Sequence, residues 1–290
     1  MSDIRVFVNS DLLCGESPMW EAETQRLLYV DSDRTFVYAA DQEGKVSVLS
    51  DDIQVSSVVF AQNGYVLLGD GVWKMDRAGK KQQILSEYNG EKLFFNDCIA
   101  GPDGSIYAGS YYWNENGMAK AGNLYRLTKD KAPVVLDTGI ELSNGLGFSP
   151  DNDTLYYSDS AKKCIYKYDF DAETGSVSNK SIFARSENGI PDGLTVDSEG
   201  YVWCAMWYDG TVYRFDPDGK VERILEFPVK QVASVMFGGK DLSTLYVSTA
   251  YGLFESHMMP KNFDRFAELG GKIYCTETDI IGKIENKANY

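Results

Sequence analysis

Apolar residues in this chain come in short alternating runs rather than at every third or fourth position. The runs are rich in Val, Ile, Leu, Tyr, Phe and Trp, and clusters of Gly, Asp, Asn and Pro separate them. A period of two describes a strand with one face buried, and the intervening clusters are turn residues. Few windows place apolar residues at i, i+3, i+4 and i+7, so helices are scarce and the class is all-β. Nineteen Tyr and an aromatic content of 13% suit pleated, half-buried surfaces.

The runs repeat as larger units. GESPMWEAETQRLLYVD, VSSVVFAQNGYVLLGD, FNDCIAGPDGSIYAGS, SNGLGFSPDNDTLYYSD, PDGLTVDSEGYVWCAMW and ASVMFGGKDLSTLYVSTA share one plan. A polar residue leads, a small or apolar run follows, then a hairpin turn and an aromatic-rich strand. Most copies add a third strand and a fourth run, as in GNLYRLTKD and GTVYRFDPDG. The leading positions are Glu16, Ser56, Asn96, Asn144, Asp192 and Ala233 or Ser234, spaced 40, 40, 48, 48 and about 41 residues apart. Six copies of this length predict a six-bladed β-propeller with four antiparallel strands per blade, forming one domain over residues 1–290. The last copy shows only three strands, 234–238, 245–250 and 271–277. The N-terminal run IRVFV (4–8) has no partner of its own and is predicted to complete the sixth blade and fasten the ring.

In a propeller the first strand of each blade lines the central channel. Equivalent positions therefore ring one axis, and Glu16, Asn96, Asn144 and Asp192 should meet at one mouth although up to 176 residues apart. Two carboxylates and two amides around a point are costly to bury unpaired, and a divalent cation removes the cost. All-oxygen donors suit Ca²⁺, Mg²⁺ or Mn²⁺ better than Zn²⁺. The alternative reading is that these residues cap strands and bond neighbouring loops, with Asn-Gly (144–145) and Asp-Gly (192–193) acting as plain turns.

Composition narrows the chemistry. The chain has 290 residues, with 28 Lys and Arg against 43 Asp and Glu, for a net charge of −15. That sign disfavours nucleic acid and anionic membranes as partners. A single histidine, His257, excludes multi-His zinc centres and leaves almost no room for Ser-His-Asp chemistry. His257 itself reads as a loop residue rather than a catalyst. No secretory h-region or membrane-length apolar stretch occurs, and the five cysteines form no CxxC, which together point to the cytoplasm. Cys98, Cys164, Cys204 and Cys275 fall in apolar runs and should be buried, whereas Cys14 beside Gly15 can be exposed. The acidic clusters DFDAETG and DPDG lack EF-hand spacing and read as hairpin turns. The insertion SYYWNENGMAKAG (110–122) is a candidate lid or substrate wall, or a loop packing its aromatics on the propeller face. Met206, Trp207, Tyr208 and Asp209 either add a second wall or pack outward. The tail DIIGKIENKANY either packs or frays, and the chain is expected to be a monomer or weak oligomer.

CGESPMWEAETQRLLYVD resembles the opening motif of the regucalcin/gluconolactonase family, relatives of senescence marker protein and the luciferin-regenerating enzyme. FNDCIAGPDGSIYAG, LSNGLGFSPDNDTLYYSDS, IPDGLTVDSEGYVWCAMW and FGGKDLSTLYVSTA resemble its later blades in the same order. The resemblance implies a six-bladed propeller with one catalytic divalent metal that hydrolyses sugar lactones and related esters. It implies Glu16, Asn144 and Asp192 as metal ligands, with Ca²⁺ favoured and Zn²⁺, Mg²⁺ or Mn²⁺ as alternatives. It also implies that Asn96 contacts the small-molecule lactone or ester. Many relatives carry a substrate-binding Arg two residues before that Asn, where this chain has Phe94, in LFFND. The change removes a bidentate fork for hydroxyl or carboxylate and favours a less polar lactone. Phe94, Tyr111 and Trp113 complete the expected substrate-binding set. Asp192 is expected to orient or deprotonate the attacking water, or to attack as a nucleophile itself. Two other functions fit the same fold: a phosphotriesterase like diisopropylfluorophosphatase, and a non-catalytic calcium-binding or interaction propeller.

Overall fold

The computed structural model describes residues 3–114, 117–252 and 258–290. His257 and residues 115–116 of the insertion lie outside the described residues. Six four-stranded antiparallel sheets follow one another along the chain. Their first strands are Gly15–Glu21, Val55–Ala61, Phe95–Ala100, Ser143–Phe148, Ile190–Val196 and Val232–Gly238. Each touches the first strand of the next sheet, and the sixth returns to the first, so the sheets are the blades of a closed six-bladed propeller. No helix occurs among the described residues, and so none long and apolar enough to cross a membrane.

The N-terminal strand Arg5–Val8 pairs antiparallel with Ile273–Glu277 and supplies the outer strand of the sixth blade, as its orphan sequence predicted. Phe7 sets its ring edge-on to Tyr246 at 4.9 Å, and Val8 is buried. The hydrophobic pattern has two sources. First and second strands are buried at nearly every position because neighbouring blades cover both faces, whereas outer strands such as Val221–Glu226 face solvent along most of their length. The largest side chains sealed between blades are Trp203, Tyr29, Tyr107, Tyr157 and Tyr168. Each fully buried aromatic of this kind contributes on the order of 1.5–3 kcal/mol.

Much of the acidic excess sits in turns. Asp76 Oδ1 accepts from the backbone N–H of Ala78 and of Lys80, and Asp216 Oδ1 does the same for Asp218 and Lys220. Asp171 in DFDAETG accepts from Glu173 and Thr174 N–H groups, so these clusters are turns as the sequence indicated. Cys98, Cys164, Cys204 and Cys275 are buried thiols, and Cys14 is half-buried.

The C-terminal tail packs rather than frays. It bonds the first strands' far ends and the turns that follow them: Ser198 N–H donates to Ile281 O, Ala288 N–H to Phe60 O, and Asn289 N–H to Gly104 O. Those turns lie at the far ends of the first strands from Glu16, Asn96, Asn144 and Asp192. The tail therefore straps the channel face opposite the one those residues share.

Candidate metal and substrate site

All six blades share one irregularity at the leading position. In each blade the ladder between first and second strand slips just at the start of the first strand. The slips fall between Glu16 and Met19, Val55 and Ser57, Phe95 and Cys98, Ser143 and Leu146, Pro191 and Leu194, and Val232 and Ser234. A bulge bends its strand and re-aims a side chain, and Glu16, Asn96, Asn144 and Asp192 all reach one cavity. Asn144-Gly145 and Asp192-Gly193 are thus inside strands and are not turns, which corrects the turn reading of those dipeptides. The glycines are needed for a different reason. A Cβ on Gly145 would stand 2.3 Å from Leu194 N, and one on Gly193 would stand 2.0 Å from Ser234 Oγ.

The loops that carry Glu16 and Asn144 are fixed by a matched pair of acids. Asp31 accepts from Leu13 and Cys14 N–H groups, and Asp159 accepts from Glu141 and Leu142 N–H groups. Each acid ends a second strand in the sequence pattern D-S. That shared dipeptide is a signal present in the sequence itself.

Glu16, Asn96, Asn144 and Asp192 line one cavity of about 650 Å³, together with Phe94, Tyr111 and Trp113. Asn96 Nδ2 donates to Ser143 O at 2.7 Å and to Asn144 Oδ1 at 3.0 Å. Both amide hydrogens are then used, and what Asn96 offers the cavity is its Oδ1 acceptor. Asn144 Nδ2 donates to Ser160 Oγ at 3.0 Å, and Ser160 in turn donates to Pro191 O at 2.5 Å, next to Asp192. Ser160 thus ties two of the predicted positions together, a role no motif announced. Ser56 spends its hydroxyl on Phe95 O and Leu68 O, so at that leading position the side chain bridges blades.

The electrostatics are strained. Burial pushes Glu16 well above the usual carboxylate range, and the charges of Asp192 and Asp97 push it further. Asp192 is raised by burial and then by Asp97. Asp97, missed from sequence, is raised to about 6 by burial, although its carboxylate accepts from Cys98 N–H and Ser57 Oγ. Cys14 Sγ lies 4.0 Å from Glu16 Oε1, and its thiol is also held well above its ordinary value by burial and then by Glu16. Asp192 Oδ1 is buried without a hydrogen-bond partner among the described residues. Two buried, raised carboxylates in one cavity, an orphaned carboxylate oxygen and an amide oxygen form a donor set that a hard divalent cation fits. Among the described residues no three His, Cys, Asp or Glu side chains cluster as a metal site, so a cation here would need amide or water oxygens as well.

The insertion builds a wall of the cavity. Tyr111, Tyr112, Trp113, Asn114 and Ala119 all line it, and Trp113 Nε1 donates to Glu141 O at 2.7 Å. Tyr111 N–H donates to Phe94 O at 2.7 Å, and Phe94 also forms an antiparallel bridge to Asp70. From blade five, Trp207 and Tyr208 face the cavity, while Met206 is fully buried in the core and Asp209 is not part of the lining.

Comparison with known proteins agrees with this architecture. The pentonolactonase XacC of Haloferax volcanii is 34% identical over 256 residues, covering 84% of each chain. Bovine regucalcin is 34% identical over 296 residues and covers 97% of each chain. The solved structure of a luciferin-regenerating enzyme superposes with a TM-score of 0.90 over 100% of each chain at 25% identity. Residues 14–251 match the SMP-30/gluconolactonase/LRE-like region, and the chain belongs to that family.

Proposed function

We propose that this protein is a divalent-metal-dependent hydrolase that opens a lactone ring by attack of water. The observation that carries the reading is the orphaned, buried Oδ1 of Asp192 beside a second raised carboxylate, Glu16, in one cavity. The pentonolactonase relative supports the substrate class. Glu16, Asn144 and Asp192 would hold the cation, Ca²⁺ in the first instance. Bound there, it would polarise the lactone carbonyl and offset the charge that develops on its oxygen.

The chain's own groups supply the rest. Asp192 holds the attacking water and accepts its proton as the water oxygen bonds to the carbonyl carbon. The C–O bond of the ring then breaks, and the leaving alkoxide takes the proton back. Asn96, anchored through Nδ2, accepts through Oδ1 from the water or from a substrate hydroxyl. Phe94, Tyr111 and Trp113 pack against the body of the substrate.

A pH-stat assay on a panel of lactones, esters and phosphotriesters tests the function. The expected result is lactone turnover that a chelator abolishes and added Ca²⁺, Zn²⁺, Mg²⁺ or Mn²⁺ restores. Absence of turnover on every compound with each cation restored would overturn it in favour of a binding propeller, and preference for phosphotriesters would favour the other hydrolase. Single turnover in ¹⁸O water separates the two roles of Asp192, because label entering the protein before the product would mean nucleophilic attack by its carboxylate.

A further inference from the structure

The described lining of the cavity contains four carboxylates, Glu16, Asp33, Asp70 and Asp192, and no Lys, Arg or His. Nearby cations are engaged elsewhere. Lys120 lies over the Tyr112 ring at 4.2 Å and pairs with Glu91 at 2.6 Å. Arg34, beside Asp33, donates to Asp11 O and lies 3.7 Å from Asp31. Lys162, two residues past Ser160, donates to Gly139 O and lies 3.4 Å from Asp159. A cation held by Glu16 and Asp192 balances only those two acids, which leaves Asp33 and Asp70 facing whatever enters. The same lining carries Phe94, Tyr111, Tyr112 and Trp113, with Phe94 bridged to Asp70. Phe94 is 37% exposed, yet its backbone is clipped on both sides, to Tyr111 and to Asp70. Trp113 is likewise anchored through its indole N–H. Rings held this way cost little entropy when a flat apolar group stacks on them.

We propose that the substrate is an uncharged lactone carrying an aromatic or other flat apolar arm, and that the site rejects lactones bearing a carboxylate. This rests on the lactonase reading and sharpens it. The arm lies against Phe94, Tyr111 and Trp113, and Asp33 and Asp70 in the same lining repel anions. The product of ring opening is itself an anion, so the same charges favour its release.

A matched series tests this: γ-butyrolactone, γ-phenyl-γ-butyrolactone, its para-carboxyphenyl counterpart and a pentonolactone, assayed with the cation present. The phenyl compound is expected to exceed γ-butyrolactone about tenfold in kcat/KM, as one aromatic contact of ~1.4 kcal/mol would give. The carboxyphenyl compound is expected to lose that gain. Phe94→Arg should reverse the order of the two aryl lactones. Equal rates for phenyl and unsubstituted lactones, or a higher kcat/KM for the carboxylate or the pentonolactone, would overturn the proposal. Quenching of Trp fluorescence by the γ-phenyl lactam and its carboxyphenyl analogue gives a second reading that needs no turnover. Tighter binding of the phenyl lactam with no hydrolysis of any lactone would uphold the ligand class while removing the lactonase function. Tighter binding of the carboxyphenyl lactam would overturn the ligand class whatever the turnover.

Discussion

Asp192 carries opposing demands. Its Oδ1 has no partner, and its carboxyl is raised by burial and by Asp97. A carboxylate with a raised folded pKa costs nothing while protonated, below its unfolded value near 4. The cost grows as pH rises from there toward the folded value, because the folded state must then ionise or hold a proton that the unfolded chain releases. Asp192→Asn should therefore make the metal-free protein more stable at pH 7, on the order of 1–3 kcal/mol. The advantage should shrink as pH is lowered toward 4. The same change should remove the proposed base and cut kcat by about 10²-fold or more. Urea unfolding at pH 4 and pH 7, with Ca²⁺ and without, checks this. Ca²⁺ at a hundred times its Kd should add about 2.7 kcal/mol to the wild type and far less to the variant. A variant that is less stable without metal, or that keeps full activity, would defeat the assignment.

At the scale of the strand, the six bulges make the site. The polar residue, its blade and its place at one channel mouth could be read from the repeat, because each first strand repeats the same short pattern. The bulges could not, since a two-for-one mismatch depends on the partner strand and leaves no residue signature. That is why Asn-Gly and Asp-Gly looked like turns: the glycine was visible, but its cause, the approach of the next blade, is a long-range contact. The D-S pair at Asp31 and Asp159 was legible and went unread, since its meaning lies in loops 17 or 18 residues upstream. Gly145→Ala tests the approach. The added methyl would meet the backbone nitrogen of Leu194 at 2.3 Å and the carbonyl oxygen of Asp192 at 2.7 Å, and backbone cannot swing aside as a side chain can. The expected loss is about 1–3 kcal/mol, read as a lower urea midpoint at an unchanged m-value. Activity should fall as well, because relief of the clash must move the strand that carries Asp192. An unchanged midpoint would mean that the blades do not meet this closely.

Across the whole molecule, each blade is held by its neighbours, and the ring needs a closure that resists opening at one seam. Some contacts couple blades in pairs. Glu21 of the first blade accepts from Arg26 of its own blade and from Tyr65 and Arg77 of the second. Arg126 of the third blade donates to Thr174 O in the fourth. The seam between the ends of the chain is different, because there the fourth strand of the last blade comes from the N-terminus, 265 or more residues away in sequence. Removing residues 1–8 leaves the first five blades intact and strips the sixth of its outer strand. The loss is the ladder from Arg5 to Val8, the buried side chain of Val8 and the Phe7 contact with Tyr246. Burial of two such side chains alone amounts to roughly 3 kcal/mol. The newly bared edge, Ile273–Glu277, would be an unpaired strand able to recruit a second chain. The truncated protein should unfold at a lower urea concentration than the full chain and scatter light increasingly with concentration. If the seam bears on the site, turnover should fall with the folded fraction, because the sixth blade stands between Glu16 of the first blade and Asp192 of the fifth. Were the truncated chain to match the wild type in midpoint and stay monomeric, closure would have to reside in the tail that straps the opposite face, and deletion of residues 281–290 would then produce the loss instead.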